Sequence, residues 1–311
     1  MHAGLKIAAF TAGLAATFGT AYGVGQGVGP VGEDPAPARH ESHPEASPQP
    51  EGGGAVPGGL QISEGGYTLD LRTPTVTARD RSDLRFVIRD GDGRAVTAFQ
   101  REHDKELHLI VASRDLTTYR HLHPTRATDG TWTTPVDLPR AGGYRVFADF
   151  TPAGQGARNL TLGADLAASG PYAPRPLPAP KDTAEVDGYR VRLDGELRPG
   201  ASNELKLTVS RDGRPVTDLQ PYLGAYGHLV ALRSGDLAYL HVHPNGEPGD
   251  GNTEPGPGVS FTASAPSGGT YRLFLDFKHD GEVRTAAFTV RAGQAAPEPE
   301  APHEQDPAHG H

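Results

Sequence analysis

The chain has 311 residues, 41 of them Gly and 29 Pro, with a net charge of −9. That composition suits about two β-rich domains with flexible connections, and makes a poor partner for nucleic acid or anionic lipid. There is no cysteine and the single methionine is Met1, which excludes disulfides, zinc–thiolate and iron–sulfur centres, blue copper and thioether Cu(I) sites.

Residues 1–29 read as a signal peptide or a membrane-anchor helix. Positions 5–24 are apolar with one charge, Lys6, and are long enough to span a bilayer, while Gly19 and Ala21 offer small residues for signal peptidase. Both outcomes place the remainder outside the cytoplasm, with membrane contact confined to this segment. Residues 30–59, rich in Pro, Gly, Ala and Glu, read as a disordered stalk. In 60–167, short β-type runs are expected at 67–71, 84–89, 107–113, 118–123, 131–138, 143–150 and 157–162. A Pro-rich linker, 168–182, is expected as a semi-rigid spacer. A second set of runs follows in 183–291, at 189–193, 204–210, 227–232, 237–243, 259–263, 270–277 and 282–290. Residues 292–311 read as a disordered tail. Its His303, His309 and His311, like His40 and His43 in the stalk, are candidates for weak metal capture. The expected fold is all-β: two tandem Ig-like or cupredoxin-like β-sandwich domains.

The two domains repeat one another. Residues 93–124 match 213–244 at 11 of 32 positions, and Tyr144-Arg145-Val146-Phe147-Ala148-Asp149-Phe150 matches Tyr271-Arg272-Leu273-Phe274-Leu275-Asp276-Phe277 at five of seven. Each repeat carries three histidines at one spacing: His108, His121 and His123, then His228, His241 and His243. His103 faces Leu223 in this alignment and His279 is likewise unrepeated, so both are placed outside the shared site.

The spacing has a geometric meaning. A two-residue turn at Gly235-Asp236 pairs His228 with His243 and Val230 with His241, and a turn centred on Asp115-Leu116 pairs His108 with His123. Paired residues share a face, as do residues two apart on a strand, so each trio is expected on one side of its sheet. Neighbours about 4.5–5.5 Å apart at Cα bring imidazole nitrogens within reach of one ion. With no sulfur ligand in the chain, imidazole donors favour Cu(II), Zn(II) or Ni(II). Asp149 and Asp276 are either ligands, acceptors for an imidazole N–H, or strand-end residues bonding backbone. Tyr119 and Tyr239 fall on the histidine face, and Trp132, Phe147 and Phe274 read as core aromatics.

The segment Glu106-Leu107-His108-Leu109-Ile110-Val111, followed by Tyr119-Arg120-His121-Leu122-His123-Pro124 and echoed by Tyr239-Leu240-His241-Val242-His243-Pro244, resembles exported actinobacterial heavy-metal- or copper-associated proteins with YtkA-like β-sandwich domains. The resemblance covers the two folded domains. It implies a membrane-tethered, extracytoplasmic metal handler.

The expected function is extracytoplasmic binding of a divalent transition metal, Cu(II) or Zn(II), for buffering or delivery. Three histidines per repeat hold the ion, and a membrane metal transporter is a candidate partner. The expectation is of a non-enzyme. Two rivals stand beside it: an Ig-like cell-surface interaction module without metal, and a zinc-dependent hydrolase, for which no general-base motif is present.

Overall fold

A computed structural model describes residues 56–293 with the exception of His241. The expected signal or anchor, most of the stalk, and nearly all of the tail lie outside the described residues. The described residues all fall in one compact unit. Among them, no helix is long and apolar enough to cross a membrane.

The fold is all-β, two sandwiches in tandem. The first comprises β1 (Ser63–Glu64), β2 (Tyr67–Leu71), β3 (Thr75–Thr77), β4 (Arg81–Arg89), β5 (His108–Ser113), β6 (Tyr119–Leu122), β7 (Thr125–Arg126), β8 (Thr131–Asp137), β9 (Gly142–Phe150) and β10 (Leu160–Ser169). The second comprises β11 (Thr183–Val186), β12 (Tyr189–Asp194), β13 (Ser202–Arg211), β14 (Arg214–Pro215), β15 (His228–Arg233), β16 (Tyr239–Leu240), β17 (Val242–Pro244), β18 (Gly258–Ser264), β19 (Gly269–His279) and β20 (Glu282–Ala292). In the first, sheet β1-β2-β4-β8-β7 faces sheet β3-β10-β9-β5-β6. In the second, β11-β12-β13-β18-β17 faces β16-β15-β19-β20.

The outer sheets alternate as half-buried strands should. Tyr189, Val191 and Leu193 of β12 point into the core while Arg190 and Arg192 face solvent. The inner sheets do not alternate: β5 (His-Leu-Ile-Val-Ala-Ser) is apolar on both faces. Leu109 and Val111 join the first sandwich's own core, with Leu69, Phe86, Trp132 and Val146. Ile110 and Ala112, on the opposite face, belong to a separate cluster with Leu116, Tyr119 and Phe147 of the first repeat and Val230, Leu232, Leu237 and Phe274 of the second.

That third cluster is the seam between the sandwiches. It is built from equivalent residues on both sides, as an isologous contact is. Tyr119 stacks on Phe274 with ring centroids 4.1 Å apart, and Tyr239 leans on Phe147 at 5.7 Å. Such ring pairs add about 0.5–1.5 kcal/mol beyond their burial. Phe147 and Phe274, expected in the domain cores, therefore serve the seam. The Pro-rich linker does not hold the domains apart: Leu177 packs against the seam cluster, and the Arg140 guanidinium bonds the Ala173 carbonyl.

The chain enters the seam at its start. Tyr239 N donates to Gly58 O at 2.9 Å, Gly59 N to Thr161 O at 2.7 Å, and Arg145 Nε to Gly59 O at 2.6 Å. This strap covers the edge of β16. Gly59 has φ +74° and a Cβ there would lie 2.4 Å from Phe147 Cδ1, so only glycine fits.

Each β5–β6 type hairpin keeps the register expected from the sequence with a longer loop. Ile110 pairs with His121 and Ala112 with Tyr119; Ala231 pairs with Leu240 and Leu232 with Tyr239. The loops have four residues rather than two, closed by Ser113 N to Thr118 O and Arg233 N to Ala238 O, both 2.9 Å. Leu116 (φ 54°) and Leu237 (φ 64°) take the left-handed position, held by burial in the seam. The Asp115 carboxylate braces the first loop by accepting from Ser113 Oγ and Thr117 N.

Candidate metal centre at the seam

His108, Ile110 and Ala112 share one face of β5, and His121 stands opposite Ile110, so the histidines lie on the face that carries the seam rather than inside a sandwich. His108, His121 and His123 converge: one ring nitrogen from each lies within 4.8 Å of the other two. Their ring centroids are 4.9–5.7 Å apart.

The hydrogen bonds fix which nitrogens are free. His108 Nε2 lies 3.2 Å from Glu102 O, and a carbonyl only accepts, so Nε2 carries the hydrogen and Nδ1 is left as a lone pair. His121 Nδ1 lies 2.8 Å from Asp276 Oδ2, a carboxylate that also accepts from Thr285 Oγ1 at 2.5 Å and from Tyr119 Oη at 3.4 Å. His121 Nδ1 therefore donates, which turns Nε2 toward His108 Nδ1 at 3.2 Å. Two bare nitrogens at that distance repel; a proton on His121 Nε2, whose ring already faces the Asp276 carboxylate, relieves that as a hydrogen bond, and a metal ion held by both nitrogens relieves it as ligation. His123 Nε2 is buried and has no hydrogen-bond partner among the described residues.

Burial, followed by repulsion from His121, lowers the pKa of His108 and of His123 to about 3. Both rings are neutral at physiological pH. Burial also raises the Tyr119 hydroxyl well above its ordinary value, so it stays a donor.

His228 sits against the first trio, 6.1 Å from His108 and from His121 by ring centroids. Its Nε2 donates to the carbonyls of Tyr222 (3.0 Å) and Leu223 (2.9 Å), the same arrangement as His108 with Glu102, and burial lowers its pKa to about 3. His243 is exposed on β17, paired with Thr262 in the sheet opposite that of His228, rather than on the same sheet as expected. His241 lies outside the described residues. His103, unrepeated and so expected outside the site, lies beside it: its ring is 5.1 Å from His228 and 6.1 Å from His108. The signal it carried was not repetition but its turn. Glu102–Lys105 and Tyr222–Ala225 are matching tight turns with positive φ at His103 and Asp104, and at Leu223 and Gly224. The first carbonyl of each turn receives the strand-start histidine. His279 stays apart, with Nδ1 2.7 Å from the Tyr189 hydroxyl and Nε2 3.0 Å from Asp218.

His103, His108, His121, His228 and His243 line one cavity of about 90 Å³, with Glu102 and Asp149. It has room for an ion and a few waters. A roomier groove of about 530 Å³, lined by Glu185–Arg190 and Ser210, Asp212 and Gly213, contains none of these histidines.

A family model described as a domain of unknown function, DUF8832, matches residues 61–161 and again residues 184–294. No curated protein matches. Among solved structures, the chain is similar to FdeC, a broadly conserved adhesin of Escherichia coli (15% identity, 75% of this chain and 65% of that one, TM-score 0.23). It is similar to invasin, a bacterial integrin-binding protein (13%, 75% and 41%, TM-score 0.21). A putative membrane-anchored protein from Corynebacterium diphtheriae gives 10%, 78% and 61%, with a TM-score of 0.23. The chain thus spans less than two thirds of each, and TM-scores this low leave the likeness without bearing on ligand or partner.

Proposed function

For a chain that belongs to the DUF8832 family and carries its domain twice, we propose the holding of one divalent transition-metal ion, Cu(II) or Zn(II), by His108, His121 and His123. The observation that supports this most is the 3.2 Å approach of His108 Nδ1 to His121 Nε2, with the other nitrogen of each ring committed to an acceptor, so that these two are the ones turned toward an ion. With metal–nitrogen bonds of about 2.0–2.1 Å, the edge of a coordination tetrahedron is about 3.3 Å, so these two donors are already spaced as ligands. His123 Nε2, buried and unpartnered, is the third donor. His108 and His121 also line the cavity that reaches His103 and His228. An all-imidazole donor set with no sulfur suits Cu(II) or Zn(II). The apolar segment at 5–24 assigns the work to the extracytoplasmic side, as buffering or delivery of the ion, with a membrane metal transporter as the receiving partner.

Calorimetric titration of Cu(II) and of Zn(II) into the whole chain tests this reading. One tight equivalent is expected, weakened by about a hundredfold or more in His121→Ala, since each tenfold is about 1.4 kcal/mol of lost ligation. The histidines outside the two sandwiches, at 2, 40, 43, 303, 309 and 311, are common to both proteins and cancel. A titration with no tight equivalent, unchanged by the substitution, leaves the second reading: a surface interaction module of paired Ig-like sandwiches without metal.

A further inference from the structure

The ligands proposed for the ion all belong to the first repeat, but the group that orients one of them does not. His121 Nδ1 donates at 2.8 Å to Asp276 Oδ2, on β19 of the second sandwich. Asp276 is 2% exposed. It is Cα partner to His228 and is held from its own side by Thr285 Oγ1 and from across the seam by the Tyr119 hydroxyl.

We infer that ion binding and docking of the two repeats are coupled through the carboxylate of Asp276, so that the ion acts as a latch on the seam. The inference rests on the metal reading above. A carboxylate behind a ligating imidazole fixes its tautomer, holds the ring in position and raises the basicity of the nitrogen that faces the ion. Here that carboxylate arrives only when Ile110, Ala112 and Phe147 are packed against Val230, Leu232 and Phe274. An opened seam removes the acceptor from His121 and admits water to His108 and His123. By reciprocity, whatever factor docking adds to ion affinity, the ion returns to docking. Asp276 is a positioning residue; it acts through His121.

The test uses the whole chain, with Cu(II) or Zn(II) as the probe. Asp276→Asn keeps an acceptor of the same shape and removes the charge. It is expected to weaken binding about 10–100-fold, the usual loss when such an outer partner is removed, and to shift the visible absorption band of bound Cu(II). A purely structural role does not move that band. In the unsubstituted chain, adding the ion is expected to slow amide hydrogen exchange in β15 and β19, although His108, His121 and His123 all lie in the other repeat. An ion that binds the original chain and Asp276→Asn equally well, with the same band and no change of exchange in β15 and β19, overturns the coupling but leaves the site. No tight equivalent in the original chain overturns both.

Discussion

In the first repeat the strand that carries His121 stays with its sheet through Leu122, and His123 ends on the seam face, buried at Nε2. In the second, Val242–Pro244 pairs with β18 in the opposite sheet, and His243 is exposed. Spacing and hairpin register are shared, so neither explains the difference. The explanation is on the strand opposite. In the second repeat, Asn245 N bonds Ser260 O at 2.9 Å, and the bonded pairs of an antiparallel ladder recur every second residue, so the next is His243 with Thr262. In the first repeat, Ala127 N bonds Thr131 O at 2.8 Å and Thr125 pairs with Thr133, so the next bonded pair is 123 with 135. Residue 135 is proline. It has no N–H to give, the ladder stops at Thr125, and His123 is not drawn away. One missing donor on a neighbouring strand thus accounts for the different placement of two repeated histidines.

The sharpest way to break this comparison is to truncate the equivalent residues. His123→Ala is expected to weaken ion binding by about tenfold or more, while His243→Ala stays within about twofold of the original chain. Chelator competition against Zn(II) reads both, and equal losses abolish the distinction between the repeats. A subtler change moves the strand instead of the ligand. Pro135→Thr restores the N–H that Thr262 supplies in the second repeat, and is expected to cost up to about tenfold in affinity with every histidine intact. An unaltered affinity in that variant refutes the account of the strand switch.

The smallest expected effect concerns protons. His108 and His123 in the first repeat and His228 in the second are all lowered to about 3 by burial. Their unfolded value is about 6.5. Protons thus bind the unfolded chain in preference, and the contribution of these rings to stability is complete above pH 6.5 and lost as pH falls toward 3. Urea denaturation of the ion-free chain is expected to show a midpoint that drops between pH 6.5 and 5, less steeply in His123→Ala. A midpoint that is flat over that interval contradicts neutral buried rings in the folded state.

Much of this was legible in the residues. The hairpin register followed from where the turn was centred: 115–116 and 235–236 remain the middle of each loop although the loops are two residues longer than expected. The common face of His108 and His121 followed from strand periodicity. What the face opposes did not follow, because periodicity is local and the seam is not. The clue was Leu109-Ile110-Val111-Ala112, too apolar for a sheet with one face in water. Asp276 was legible as a possible acceptor but not as an acceptor from the other repeat. His103 was set aside because it has no counterpart, whereas its place is set by a backbone turn whose conformation is shared without identity.

The strap at the start of the folded body has a mechanical consequence. Residues 58 and 59 bond Tyr239 in one repeat and Thr161 and Arg145 in the other. Tension arriving along the chain ahead of Val56 is therefore divided between both halves as shear across several hydrogen bonds, instead of unzipping a single terminal strand one bond at a time.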